Sequence, residues 1–366
     1  MGLVVRRIPM NDKQTQNPFT HTYGSAGQAY IDMGWAREAI ENFDFDSPSE
    51  FVYKIIGVRG SGKTVVLSDI IHYFRSEEKS DEGWIVYDLS SARDPLHTLV
   101  AYLAKEKFSR KGRKSIDFTA KANLGLISGD ISTSRKNNDA YYDDEAELDE
   151  LLESAFKAGK RILICIDDIA KTEDMVAFCS VYAKYIRAEK PIYLVCTGLF
   201  SNMESLGRVK NLTFFKRAET IEVRALSDVL MTTKYRKLLN LSYETARELS
   251  KMTRGYAYAY QVLGSLYFKK SKDAGIEDLI GDYEERLFSQ SYEKIWEELT
   301  EGERNLVEIL IEYKKREDIL QHMSKPGNYS EYRNSLLRGG LIREVRRGEV
   351  EFSLPRFEEY VRIFKL

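Results

Sequence analysis

The pattern of apolar and polar positions changes character several times along the chain, and each change predicts a different kind of element. Residues 28–43, QAYIDMGWAREAIENF, place Ile31, Trp35, Ile40 and Phe43 near one face at helical spacing, which predicts a helix. Residues 44–49, with a proline among them, break that pattern. FVYKIIGV at 51–58 is then β-branched and aromatic and ends in glycine, and helical periodicity starts near Lys63, so the order is strand, Gly-rich turn, helix. WIVYDLS at 84–90 predicts a second strand, and PLHTLVAYLAKEKF at 95–108 a helix with proline near its start.

Residues 109–143 are polar, rich in Gly, Ser and Lys, and long for a structureless loop, so they read as an insertion. The alternation then resumes with a helix over 144–158, strand RILICID at 161–167, a helix over 173–188, strand IYLVCT at 192–197 and a short strand TIEV at 220–223. Apolar strands alternating with helices predict an α/β fold whose parallel sheet is covered on both faces.

Near Leu226 the strand signal fades. Residues 227–289 carry helical periodicity alone and predict a small helical unit. Helices over 297–315, 316–323 and 328–340, followed by the ribbon LIREVRRGEVEFSLP turning at 347–349, have the order of a winged helix. The expected domains are an N-terminal strap and helix at 1–50, an α/β core at 51–226, a helical lid at 227–289 and a winged helix at 290–366. A length of 366 residues accommodates such a division.

Composition narrows the classes. With 43% apolar and 31% charged residues, the chain can bury a core. Fifty-five Lys and Arg against 57 Asp and Glu leave a formal charge of −2, so no global field draws it to nucleic acid or an anionic membrane. Cys165, Cys179 and Cys196 lack metal-ligand spacing and read as core thiols of a reducing compartment. No run reads as a secretory signal or reaches the roughly 18 apolar residues of a bilayer span, so a cytoplasmic protein with no membrane partner is expected.

The candidate chemistry lies in GVRGSGKT. Gly57, Gly62, Lys63 and Thr64 satisfy G-x-x-x-x-G-K-[ST], which requires glycine where backbone amides wrap around phosphate oxygens. Gly57, Val58, Arg59, Gly60, Ser61 and Gly62, with Val65 in the first helical turn, are the expected cradle for the phosphates of ATP or ADP. Lys63 would bridge the outer phosphates, and the Thr64 hydroxyl would ligate Mg²⁺. A Gly-rich turn of an unrelated α/β fold is the competing reading, and the placement between strand and helix argues against it.

ILICIDDI supplies a carboxylate pair at a strand end: Asp167 for the Mg²⁺ and Asp168 to activate water. An N-cap of the next helix competes with that reading. Thr197, at the tip of the following strand, is either a hydroxyl that senses the terminal phosphate or attacking water, or a turn residue. Arg217, before the last strand, is a candidate charge for the reaction in its own or a neighbour's site, or a solvated arginine.

This order of parts resembles the P-loop ATPases of the AAA+ and STAND groups, above all the prokaryotic ones with a helical lid and C-terminal winged helix, relatives of the origin-recognition ATPases. The resemblance spans nearly the whole chain and implies strand order 5-1-4-3-2. NPFTHTYG at 17–24 resembles the N-terminal strap of such proteins, and GWAREAI at 34–40 resembles their Gly-Arg-Glu box, which would set Arg37 beside the nucleotide. TRGYAYAYQVLG at 253–264 resembles the lid helix, with Ala257 where STAND proteins usually carry a proline and Arg254 near the place of a missing second-sensor arginine. Asp168 replaces the glutamate of fast AAA+ enzymes, and a carboxylate about 1.5 Å shorter in reach suits a slow ATPase switch.

Two functions are therefore expected as alternatives. One is an Mg²⁺-dependent switch that hydrolyses ATP to ADP and phosphate and signals through the winged helix to DNA or protein. The other is a nucleotide-dependent recruiting module with negligible hydrolysis. Self-association accompanies either if Arg217 acts in a neighbour. For duplex DNA, residues 325–347 carry six basic residues against two acidic ones, and Tyr329, Tyr332, Arg333 and Asn334 are placed to reach phosphates or base edges. A phosphotransferase is disfavoured because no second substrate pocket is legible, and guanine because no Asn-Lys-x-Asp motif occurs.

Overall fold

Strand β1 (Val52–Ile56) is buried at every position, as a strand must be when it has neighbours on both edges and helices on both faces. The computed structural model describes residues 16–20, 27–33, 51–111, 144–270 and 275–366. In it β1 joins β2 (Trp84–Ser90), β3 (Arg161–Asp167), β4 (Ile192–Gly198) and β5 (Glu219–Glu222) in one parallel sheet of order β2-β3-β4-β1-β5, the implied order read from the other edge.

The register decides what meets at the carboxyl edge. Ile56 stands beside Gly198 and Ser90 beside Asp167, so the turn after β1, the carboxylates after β3 and the tip of β4 lie at one end. Tyr53 stands beside Glu219, which leaves Arg217 at the opposite end.

Helix α1 (Lys63–Phe74) follows β1, and α2 (Glu77–Asp81) leads into β2. Asp94 caps α3 (Pro95–Leu103) by accepting from the Leu96 and His97 amides, with proline at the first helical position, where no amide is needed. This helix ends five residues before the expected limit and gives way to a 3-10 turn, Lys107–Lys111. Residues 112–143 of the expected insertion lie outside the described residues. Helices α4 (Asp144–Lys157), α5 (Glu173–Arg187), α6 (Phe200–Gly207) and α7 (Thr213–Arg217) complete this half. Cys165, Cys179 and Cys196 are buried and form no disulfide, and burial pushes the Cys179 thiol up to about 12.

The second half comprises α8 (Asp228–Leu239), α9 (Tyr243–Thr253), α10 (Ala257–Lys269), α11 (Ile280–Leu287), a π-helical turn (Phe288–Tyr292) and α12 (Glu293–Glu298). Then come α13 (Glu301–Glu312), α14 (Arg316–His322), α15 (Tyr329–Arg338), the antiparallel ribbon β6 (Ile342–Arg346) and β7 (Glu349–Phe352), and α16 (Phe357–Phe364). One apolar core runs through all of these elements without a break. The sequence reading did not anticipate α16, although Phe357, Tyr360 and Val361 are buried at helical spacing.

Phe19, Ala29 and Ile31 belong to this second core. Gly264 makes room for Phe19: a Cβ there would lie 2.3 Å from its ring. The helix expected over 28–43 is not formed in its described part. Residues 27–33 run as a turn and irregular chain, the Tyr30 amide bonding Gly27 O at 2.9 Å and the Ala29 amide Pro18 O at 3.2 Å. Burial of Ala29 and Ile31 against α8 and α10, with the Tyr30 hydroxyl donating to Asp69 on α1, outweighs the helical spacing. Arg37 and the rest of that helix lie outside the described residues. No described helix is long and apolar enough to cross a membrane.

Candidate functional site

The Gly-rich turn is shaped by two left-handed residues, Gly60 at φ 76° and Gly62 at φ 102°, a conformation that costs glycine nothing. Helix α1 begins at Lys63 with no side-chain cap and no acidic residue in its first turn, leaving an electropositive amide end. Lys63 is buried, and its Nζ donates to Gly57 O at 3.0 Å and Val58 O at 3.1 Å. Burial lowers its pKa to about 8 against the opposing pull of the Asp168 carboxylate, with Arg59 lowering and Asp167 raising it further. Two carbonyls thus hold an ammonium at the mouth of a turn built for anions.

Beyond the lysine a polar network ties β3 to β4. Thr64 Oγ1 donates to Asp167 Oδ2 at 2.9 Å, the Thr197 hydroxyl donates to the other Asp167 oxygen, and the Asp168 amide donates to Thr197 Oγ1 at 2.9 Å. Thr197 is fully buried. Its hydroxyl therefore bridges the Asp167 carboxylate and the Asp168 amide.

Asp168 is exposed and adopts φ 51°, a strained conformation for a residue with a Cβ. Its amide bond to Thr197 and that of Ile169 to Thr197 O, at 2.9 Å, hold it there. Neither aspartate is a helix cap, because α5 is capped by Thr172, whose hydroxyl accepts the Met175 amide at 3.1 Å. Asp88 on β2 joins this edge unforeseen. Its carboxyl pKa is raised by burial, with Arg75 opposing and Asp167 adding to the rise. The available signal was the single acidic residue in WIVYDLS.

The second half of the chain closes on the same turn. The Tyr256 hydroxyl donates to Arg59 O at 2.7 Å, the Tyr258 amide donates to Gly60 O at 3.1 Å, and Ala257 lies 3.9 Å from where a Cβ on Gly62 would stand. Arg59 pairs with Glu298 at 2.6 Å, at the end of α12. The chain between α15 and β6 comes close to Val58, whose amide lies 3.6 Å from where a Cβ on Gly340 would stand. Tyr256 lies in the stretch resembling the lid helix but was not singled out there, and Glu298 carries no motif.

Two expected residues among the described ones are not brought here. Arg217 is exposed at the far edge of the sheet, so it cannot serve its own site. Arg254 turns the other way: its Nη1 donates to Phe352 O of the ribbon at 3.1 Å. Arg37 is outside the described residues. Val65 sits in the first turn of α1, its amide on Gly62 O at 3.0 Å.

Three of the six basic residues in 325–347 are paired with carboxylates of the same fold. Arg333 pairs with Glu344, Arg343 with Glu351 and Arg346 with Glu349, while Arg338 lies 5.4 Å over the Phe200 ring. Tyr329 is buried, and Tyr332 fills the space over Gly302 and accepts from Asn328 at 3.2 Å. Asn334 alone of the four expected reading residues is exposed.

Comparison with known proteins bears on the fold. The Walker-type ATPase of Pyrococcus abyssi superimposes with a TM-score of 0.58 at 13% identity, over 90% of this chain and 95% of that one. The ORC2 protein of Aeropyrum pernix, in ADPNP and ADP complexes, superimposes with a TM-score of 0.53 at 13% identity, over 96% of each chain. A family model described as a domain of unknown function, DUF8462, matches residues 289–361. No curated protein matches the chain. The chain thus has the fold of the prokaryotic AAA+ P-loop ATPases.

Proposed function

We propose that the chain binds ATP in the turn from Gly57 to Thr64 and hydrolyses it slowly, as a switch whose nucleotide state sets how the C-terminal half docks on the sheet. The observation that carries this reading is that one turn serves both purposes. Its glycines and Lys63 fit the phosphate-binding pattern, and its carbonyls and Arg59 are held by Tyr256, Tyr258 and Glu298 from the second half. Phosphates entering the turn draw Lys63 off the Gly57 and Val58 carbonyls and disturb those contacts.

The donor set fits Mg²⁺: a hydroxyl and a carboxylate oxygen, Thr64 Oγ1 and Asp167 Oδ2, meet at 2.9 Å at the end of the turn, an all-oxygen pair of the kind that holds this ion together with phosphates and water. When bound, the ion neutralises charge on the phosphate oxygens. Lys63 binds the outer phosphates, Thr197 orients the carboxylate pair, and Asp168 takes the proton of the attacking water. Arg217 is exposed at the far edge, and any charge it adds to the reaction goes to a neighbouring copy.

Phosphate release from excess ATP tests the reading. Multiple turnovers are expected, and Asp168→Asn should slow them about 100-fold or more while nucleotide binding persists, because a positioned base contributes that much. Stoichiometric binding with no turnover would select the recruiting module instead.

The output partner is proposed to be a protein. Three of the ribbon and α15 arginines are paired with Glu344, Glu349 and Glu351, and the last two, outside the basic window, halve the local positive charge that duplex DNA would meet. Fluorescence anisotropy with duplex DNA should show only weak binding with a shallow salt slope, equivalent to about two phosphate contacts or fewer. A steep slope would restore DNA as the target.

A further inference from the structure

We infer that Tyr256 is a positioning residue for the phosphate-binding turn, and that Ser291 carries the state of that turn from Tyr256 to the C-terminal elements. The inference rests on the nucleotide reading above.

Tyr256 precedes α10 and is 4% exposed. Its hydroxyl lies 2.7 Å from Arg59 O and 2.7 Å from Ser291 Oγ. A phenol has one proton, and a carbonyl can only accept, so the phenol donates to Arg59 and Ser291 donates to the phenol. Gly60 completes the seat: a Cβ there would stand 2.3 Å from the phenol oxygen. With the Tyr258 amide on Gly60 O, two successive carbonyls of the turn face the start of α10. In a trans peptide the carbonyl and amide point to opposite sides, so holding Arg59 O toward α10 turns the Gly60 amide away from it. The lid residue thus sets the orientation of a donor in the turn.

Ser291 belongs to the π-helical turn Phe288–Tyr292, a rare local geometry. Within it two consecutive side chains take different partners. Ser291 reaches the phenol, while the Tyr292 hydroxyl donates to Pro355 O and its ring meets Phe357 at 5.2 Å and Tyr360 at 5.9 Å. A buried chain of contacts therefore runs from the turn through Tyr256, Ser291 and Tyr292 to α16. The Arg59–Glu298 pair runs parallel to it but is partly solvated, and such pairs couple weakly and are screened by salt.

Hydrogen exchange of the full chain, with and without ADPNP and magnesium, tests the relay. Nucleotide-free Tyr256→Phe should exchange faster by about tenfold in residues 58–63 and 288–298 together, with the sheet unchanged. A uniform rise across α8–α10, or no rise in the turn, would reduce Tyr256 to a packing role and overturn the inference. Ser291→Ala keeps the bond to Arg59. It should bind ADPNP within about threefold of wild type, yet lose the ADPNP-dependent change in residues 288–298. Retention of that change in Ser291→Ala would overturn the relay while leaving nucleotide binding intact. Failure of the wild-type chain to bind ADPNP would instead overturn the nucleotide reading, and the nucleotide-free comparison would still decide whether the turn and the π-helical segment move together.

Discussion

Lys63→Met is expected to weaken ATP binding about 100-fold or more and to abolish phosphate release, while the chain stays folded. The size follows from what the ammonium does in a buried setting. Truncating one partner of a desolvated, hydrogen-bonded charge pair costs about 2–5 kcal/mol, much of it from leaving the phosphate charge unmatched. The folded state without nucleotide responds differently. There Lys63 hydrogen-bonds the Gly57 and Val58 carbonyls, feels the Asp168 and Asp167 carboxylates at longer range, and is held charged against burial, which already lowers its pKa to about 8. Methionine of similar volume removes that burial cost and deprives two carbonyls of a donor, and each effect is of the order of 1–3 kcal/mol with opposite sign. Equilibrium titration with a fluorescent ATP analogue and thermal unfolding therefore separate the two roles. Binding should collapse while the melting temperature moves little. Parallel loss of both would mean that Lys63 holds the turn together and that its functional assignment is wrong.

Gly264→Ala is expected to destabilise the second core by about 2–4 kcal/mol through Phe19, a residue 245 positions away in sequence. The added Cβ would lie within 2.7 Å of three ring atoms of Phe19, a ring that is 4% exposed and set against Tyr235 and Tyr260. Helix α10 cannot retreat, since its start is bonded to the turn and the Tyr235 hydroxyl donates to Tyr260 O at 2.8 Å. The ring must leave. Its departure also loosens the bonds from Asn17 to Ser265 and from the Thr20 amide to Gln261. Urea unfolding of Gly264→Ala, Phe19→Ala and the double variant forms a cycle. If the clash is the whole effect, the double variant is no less stable than Phe19→Ala alone. Additive losses would show that Gly264 matters for some other reason.

The C-terminal arginines show how a count of charges misleads. Residues 325–347 have a clear basic excess in sequence, but an antiparallel ribbon turning at Arg347 and Gly348 sets Arg343 opposite Glu351 and Arg346 opposite Glu349. The two acidic partners lie beyond the counted window. The register that pairs them was inferable from the turn, whereas the pairing of Arg333 on α15 with Glu344 on β6 was not. Likewise the helical spacing of residues 28–43 was genuine as a pattern, but in residues 27–33 contacts with α8 and α10 from more than 200 positions away decided the conformation.

The Gly-rich turn and its strand and helix were legible because every requirement is local. Gly57 to Thr64 span eight positions, and glycine, lysine and threonine each meet a need of the backbone or of a phosphate where they stand. The apolar strands were legible for the same reason, since burial on both faces demands continuous apolar runs. Strand order was implied only by resemblance, because periodicity says which residues are buried and nothing about which strand lies beside which. The tertiary structure alone decided that Thr197 bridges Asp167 and Asp168, that Asp168 sits in a left-handed conformation, that Arg217 lies at the opposite end of the sheet, and that Tyr256 and Glu298 meet the turn with Ser291 behind Tyr256. Each of these depends on which distant segments the closed core brings within a few ångströms. Local sequence carries the conformational preference of a segment, and only the packed whole determines its partners.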